Sequence, residues 1–205
     1  MTGWGVVVPV KLLALAKTRL QAYGDAGRAD LALAFAADVV AAALRARTVE
    51  RVLVVSDDPR AAGLARPGVR VVPDEPSAGL NPALAHGAGL LRRSGDRGVA
   101  ALSADLPALR ADDLDAALGA AQALGGRSLV ADAAGTGTTL LAAAPGTDLA
   151  PAFGAGSRAR HRAQGAAELD GAPSLRCDVD TPDDLEQARA LGVGPATAAV
   201  LAKLA

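Results

Sequence analysis

The stretch VVVPVKLLALAKTRL, residues 6–20, opens as an unbroken apolar run and then carries two lysines and an arginine: Lys11, Lys17 and Arg19. A short apolar run near the chain start, broken by Pro9, reads as a strand buried on both faces. The loop after this strand decides between several kinds of phosphate chemistry. It lacks the glycines of GxGxxG and of GxxxxGK[ST], so backbone amides do not cradle a pyrophosphate here in the dinucleotide or P-loop manner. Mobile cations at the end of a first strand can do that work instead. On position and clustering alone, solvated surface residues are the alternative reading.

Working outward, Val/Leu-rich runs at about 4–10, 51–56, 69–72, 98–104, 127–132 and 138–144 alternate with Ala/Leu/Arg segments of helical period. Those helices are expected at about 29–46, 81–93, 112–124, 157–168 and 183–191. Pro82 after Asn81, and Gly125-Gly126 after residue 124, punctuate two of them. Alternating β and α with apolar strands predicts an α/β fold, a three-layer Rossmann-like, mostly parallel sheet with helices on both faces. No repeat or long linker divides residues 1–205, which are read as a single domain.

Composition narrows the function. With 21 basic and 22 acidic residues the net charge is −1, so no global field draws nucleic acid or an anionic membrane, and any anion site must be local. Aromatic residues make up 2% of the chain, too few to build a base-stacking platform. The single cysteine, Cys177, forms no internal disulfide and fits a reducing cytosol. The N-terminal MTGWGVVVPV has no basic region ahead of its short apolar run, and Asp30, Asp38 and Arg45 break the long Ala-rich stretch. A cytoplasmic protein without a signal peptide or spanning helix is expected.

In open α/β sheets ligands gather outside the carboxyl ends of the strands, so residues just after each strand carry the chemical interest. Asp57 and Asp58 follow the second strand; carboxylates there can read a ribose or guanine, or can cap the next helix. Gly79-Leu80-Asn81 feeds a helix N-terminus that offers donors to a nucleotide, with Asn81 also a natural N-cap. Asp105, at the tip of a central strand with Pro107 stiffening the turn, suits a hard divalent cation. Gly135–Thr139 and Phe153–Ser157 are small-residue loops whose backbone can approach an anion, and Ser157 opens a helix that carries His161 one turn in. Asp178 and Asp180 are read as ending a last strand before the helix start Thr181-Pro182, and either can join Asp105 in a two-carboxylate metal site.

Taken in order, VVVPVKLLALAKTRL, VVSDDP, DEPSAGLNPAL, SADLPAL, ADAAGTGTTLL, FGAGSRARH and DVDTPDDL span nearly the whole chain. The pattern resembles the 2-phospholactate guanylyltransferase family of deazaflavin-coenzyme biosynthesis. That resemblance implies a nucleotide-diphospho-sugar-transferase-like fold, GTP as donor, Mg²⁺, and a small phosphorylated three-carbon acid as acceptor, with pyrophosphate released. Related nucleotidyltransferases carry a Gly-rich LxGGxGTR first loop, where this chain has VPVKLLALAKTR. The implied acceptor contacts are Thr139, Gly154 and Ser157, and the implied metal carboxylates are Asp105 with Asp178 or Asp180. Lys11, Lys17 and Arg19 are assigned to the GTP phosphates and to catalysis with Asp105, and Asp57, Gly79 and Asn81 to the nucleotide. Phosphoenolpyruvate is the favoured acceptor, with 2-phospholactate and 3-phosphoglycerate as alternatives. A sugar-phosphate or molybdenum-cofactor nucleotidyltransferase and a GTP-binding regulatory module are the competing functions. The product is expected to pass to the next transferase of the pathway, from a monomer or homodimer in which ATAAVLAKLA, residues 196–205, packs on its own chain or on a partner.

Overall fold

Alternation along the first strand sets the layers: Val6 and Val8 point to one face of the sheet and Val7 to the other, and all three are fully buried. The fold was obtained as a computed structural model that describes residues 3–11, 13, 17, 19–75, 77–93, 95 and 98–204. Its strands are β1 (Trp4–Pro9), β2 (Val49–Val55), β3 (Val69–Val72), β4 (Gly98–Leu102), β5 (Arg127–Ala131), β6 (Thr138–Ala143) and β7 (Ala167–Glu168). The helices are α1 (Gly24–Arg45), α2 (Leu80–Arg92), α3 (Ala111–Leu124), α4 (Ser157–Ala163), α5 (Pro173–Arg176), α6 (Pro182–Leu191) and α7 (Pro195–Leu204). One sheet of order β3-β2-β1-β4-β6-β5-β7 results. It is parallel except at β6, which runs against both β4 and β5.

The helices cover both faces, as expected for strands that are apolar on both sides. Val6, Val8, Val54 and Leu102 pack with residues of α1 and α3, and Val7, Val55, Ala101 and Leu141 pack with Leu84 and Ala88 of α2. At roughly 25 cal/mol per Å² of apolar surface, burial on two faces is the main force holding these central strands. Among the described residues, no helix is long and apolar enough to cross a membrane.

Four expectations are corrected. The helix expected at 157–168 stops at Ala163: Gly165 takes a left-handed φ of 86°, and the released chain adds β7 to the sheet edge beside Ser128 and Leu129. No strand ends in Asp178 and Asp180. Residues 177–181 instead cross the tip of the sheet, tied to it by Val179 N–H donating to the Asp105 carbonyl at 3.0 Å, and one bond does not make a ladder. Helix α2 begins at Leu80 with Gly79 as its cap, so Asn81 lies inside the first turn and its side chain is free to reach elsewhere. Helix α1 begins at Gly24, five residues earlier than read.

Residues 196–204 pack on their own chain, as α7. Asp38 of α1 accepts from Ala196 N (3.0 Å) and Thr197 N (2.8 Å), while Val200 and Leu201 rest on the cluster of Leu31, Phe35 and Val179.

Candidate active site

Strands β1 and β4 lie side by side and run the same way, so the segments leaving their carboxyl ends face each other across a crevice. A cleft of 430 Å³ opens there. Val10, Lys11 and Lys17 line it from the β1 side, Ser103 and Asp105 from β4, and Arg19, Asp180, Leu80, Leu84 and Phe153 complete the wall. The three cations and two of the three carboxylates expected to bind metal thus share one cavity. Asp178 is not on its wall.

Lys17 is the pivot. Its Nζ donates to Asp105 Oδ2 at 2.6 Å and to Asp180 Oδ1 at 3.0 Å, with only 10% of its side chain exposed. Its backbone sits in the left-handed region at φ 52°, a conformation that non-glycine residues rarely adopt and that the double ion pair helps to hold. Burial acts to lower the lysine pKa, but the charges of Asp105 and Asp180 more than offset this, so the pKa rises and the ammonium persists. For Asp180, burial acts upward and is outweighed by Lys17, Arg19 and Lys11, which hold its carboxyl below the usual range. Asp178 goes the other way: burial first, then the charges of Asp105 and Asp132, push it up to about 7.

A divalent cation would meet oxygen donors of the right kind in Asp105 and Asp180, already drawn around one cationic atom. Among the described residues, no group of three or more His, Cys, Asp or Glu side chains could hold a metal by itself. Two carboxylates completed by substrate phosphates is the ordinary arrangement for Mg²⁺, which is seldom caged by protein alone.

The other predicted site residues divide. Asp57 is exposed and accepts from Asp74 N at 2.9 Å. Asp58 caps the 3₁₀ turn 59–64 through Arg60 N and holds the β1 loop through Leu13 N at 2.8 Å, an anchoring role that only the fold reveals. Asn81 pairs with the backbone of Phe153, 72 residues away. Thr139 is buried on β6. Its hydroxyl donates to the Leu175 carbonyl at 2.6 Å, and its own carbonyl accepts from Ser103 N on the cleft wall at 2.9 Å. Gly154 takes φ 116° and accepts from Ser157 N at 3.0 Å, in the loop that follows Phe153.

Two supporting residues were not read as such from the sequence. Asp132 accepts from Thr136 N (2.8 Å) and Gly137 N (2.7 Å), shaping the GTG turn before β6; an Asp followed three residues later by Gly was the signal. His161 is fully buried. Its Nε2 accepts from Ala152 N at 2.9 Å, so Nδ1 carries the proton toward Thr138 Oγ1, 3.0 Å away. Burial, then Arg160 and Arg127, lower its pKa to about 4, so it is neutral and tied to structure.

Comparison with known proteins agrees with this fold. Residues 29–175 match the MobA-like NTP transferase domain. The chain is 60% identical to the phosphoenolpyruvate guanylyltransferase of Thermomonospora curvata, over 98% of this chain and 90% of that protein. It is also 60% identical to the one from Geodermatophilus obscurus, over 97% and 94%. Among solved structures, a Desulfovibrio desulfuricans protein described as a nucleotide-diphospho-sugar transferase has a TM-score of 0.72 at 16% identity, covering 99% of this chain and 95% of that one. A Mycobacterium tuberculosis protein solved with manganese has a TM-score of 0.51 at 20% identity, covering 91% and 97%. At such identities the structural likeness is one of fold. By the sequence matches, the chain is a nucleotidyltransferase and belongs to the phosphoenolpyruvate guanylyltransferase family.

Proposed function

We propose that this enzyme transfers GMP from GTP to the phosphate of phosphoenolpyruvate, releasing pyrophosphate and an enolpyruvoyl diphosphoguanosine for deazaflavin-coenzyme biosynthesis. The observation that carries the proposal is the meeting of Lys11, Lys17 and Arg19 with Asp105 and Asp180 in one cleft at the carboxyl ends of β1 and β4.

The acceptor's phosphate oxygen attacks the α-phosphorus of GTP, forming the new P–O bond as the bond to pyrophosphate breaks. With a second phosphate pKa of about 6 that oxygen is already largely ionised at neutral pH, so no general base is needed. This suits a cleft whose wall, among the described residues, carries no serine–histidine pair, and a His161 engaged on both nitrogens. The remaining task is to gather two anions and hold them in line. Lys11, Lys17 and Arg19 are assigned to the triphosphate and the departing pyrophosphate, and Asp57 and Gly79 to the nucleoside. Gly154 and Ser157 are assigned to present the loop backbone to the acceptor, and Thr139, bonded to Leu175 and to Ser103, braces the cleft wall at Ser103.

Asp105 and Asp180 would hold Mg²⁺, with Asp178 beside them. When bound, the ion supplies charge neutralisation at the phosphates. Lys17 would then give up the carboxylate oxygens and turn its ammonium to the triphosphate.

The test is pyrophosphate release from GTP and Mg²⁺ with phosphoenolpyruvate, 2-phospholactate and 3-phosphoglycerate in turn, coupled to the next transferase so that product is drawn off as it forms. Release with phosphoenolpyruvate alone is expected. Release with another acid instead would reassign the acceptor. No release with any of them, from a protein that binds GTP, would overturn the enzymatic reading in favour of a regulatory module.

A further inference from the structure

Asn81 is the second residue of α2, and its neighbours Leu80 and Leu84 line the nucleotide cleft. Its own side chain is used elsewhere: Oδ1 accepts from Phe153 N at 2.7 Å, and Nδ2 donates to the Phe153 carbonyl at 3.2 Å. A primary amide can satisfy both backbone groups of one residue at once, as a neighbouring strand would. Aspartate lacks the donor and would set a carboxylate against the carbonyl; alanine lacks both groups.

The residue before Phe153 is held as fully. Ala152 N donates to His161 Nε2 at 2.9 Å, and the Ala152 carbonyl accepts from Arg160 Nε at 3.0 Å. The Phe153 ring meets the imidazole edge-on, with centroids 5.0 Å apart and planes at 71°. The backbone polar groups of Ala152 and Phe153 are thus all engaged by side chains. Beyond them, among the described residues, the N–H groups of Gly154, Ala155 and Gly156 have no acceptor. The segment has the build of a rigid pedestal under a loop whose donors are left for something else.

We propose that Asn81 is a positioning residue: it couples the nucleotide-side helix α2 to the loop 153–157 and governs affinity for the acceptor, not for GTP. This rests on the reading that the loop receives the acceptor. It replaces the sequence expectation that Asn81 binds the nucleotide.

The experiment compares wild type with Asn81→Asp and Asn81→Ala in three readouts: calorimetric GTP affinity without acceptor, hydrogen exchange across residues 152–157, and KM and kcat for phosphoenolpyruvate. Expected are faster exchange at Phe153 and a rise in acceptor KM of about tenfold, the scale of one or two lost hydrogen bonds, with GTP affinity within about twofold of wild type. A matching loss of GTP affinity with loop exchange unchanged would overturn the proposal. So would unchanged exchange together with unchanged acceptor KM. If the wild type turns over none of the acids, the proposed function fails separately, while exchange and GTP affinity still decide whether Asn81 holds the loop or the nucleotide. Should the alanine variant fold poorly, the near-isosteric aspartate variant reports the same three quantities.

Discussion

Lys17 explains why a loop of cations can sit beside a cluster of carboxylates. Its ammonium at 2.6 and 3.0 Å from Asp105 and Asp180 neutralises charges that would otherwise repel across the crevice. Asp105→Asn removes the carboxylate at the tip of the central strand and leaves Lys17 paired with Asp180. Pyrophosphate release should fall at least about 100-fold, the scale of losing a main electrostatic element in phosphoryl transfer. The thermal midpoint should stay within a few degrees, and near-normal turnover would remove Asp105 from the chemistry. His161 supplies the pH prediction at this scale. Its folded pKa of about 4 lies below the usual 6.5, so the neutral ring contributes its stability above pH 6.5 and loses it as pH falls toward 4. A His161→Gln variant should be less stable than wild type at pH 7.5. Its further loss of stability between pH 6.5 and 4 should be the shallower of the two, measured by denaturant unfolding across that range.

Among the elements, two of the misread segments, 157–168 and 177–181, share a cause: each meets a partner distant in sequence. The alanine-rich 157–168 segment has helical composition throughout, yet Gly165 ends α4, and the free edge of β5 pairs with Ala167 and Glu168. The DVD segment has strand-like residues, but where it passes the sheet it meets the tip of β4 instead of an open edge, and Val179 buries itself there. Helix α7 is tied down by a buried carboxylate of α1, Asp38, which accepts both N–H groups at its start. Asp38→Ala removes a cap supplied from another helix and should lower stability by about 1–2 kcal/mol. For a domain of this size that corresponds to a midpoint lower by roughly 2–8 °C, read by thermal unfolding. Asp38→Asn keeps one acceptor and should lose less.

Over the whole molecule the rear of the fold and the site are mechanically joined. The cluster of Leu31, Phe35, Leu185 and Val179 is covered by Val200 and Leu201 of α7, and Val179 lies between Asp178 and Asp180. Removing residues 194–205 would uncover this cluster and loosen the segment that presents Asp180. The truncated chain should unfold more than about 5 °C below wild type, the equivalent of a few kcal/mol of lost apolar burial. It should also bind GTP more weakly. Unchanged GTP affinity in a truncated but folded protein would show that the segment 177–181 is held from the sheet side alone. Net charge, by contrast, carries little information at this scale: −1 overall conceals three cations gathered in one cleft.

The sequence by itself determined the layered α/β architecture, because apolar runs bounded by Gly and Pro alternate with helical periods and need no long-range information to be read. It also determined that Lys11, Lys17, Arg19 and Asp105 stand at strand ends, where such folds collect ligands. Tertiary structure alone decided that β6 runs antiparallel, since a strand's direction depends on which neighbours accept its hydrogen bonds. The same holds for the site's inner wiring. Asn81, Asp58 and His161 each look in sequence like a cap, a nucleotide contact or a stray polar residue. Their work depends on backbone groups brought to them by folding: Phe153 lies 72 residues from Asn81 and Leu13 lies 45 from Asp58. The chain's local chemistry names such side chains, and only the closed fold supplies the partners that give them a task.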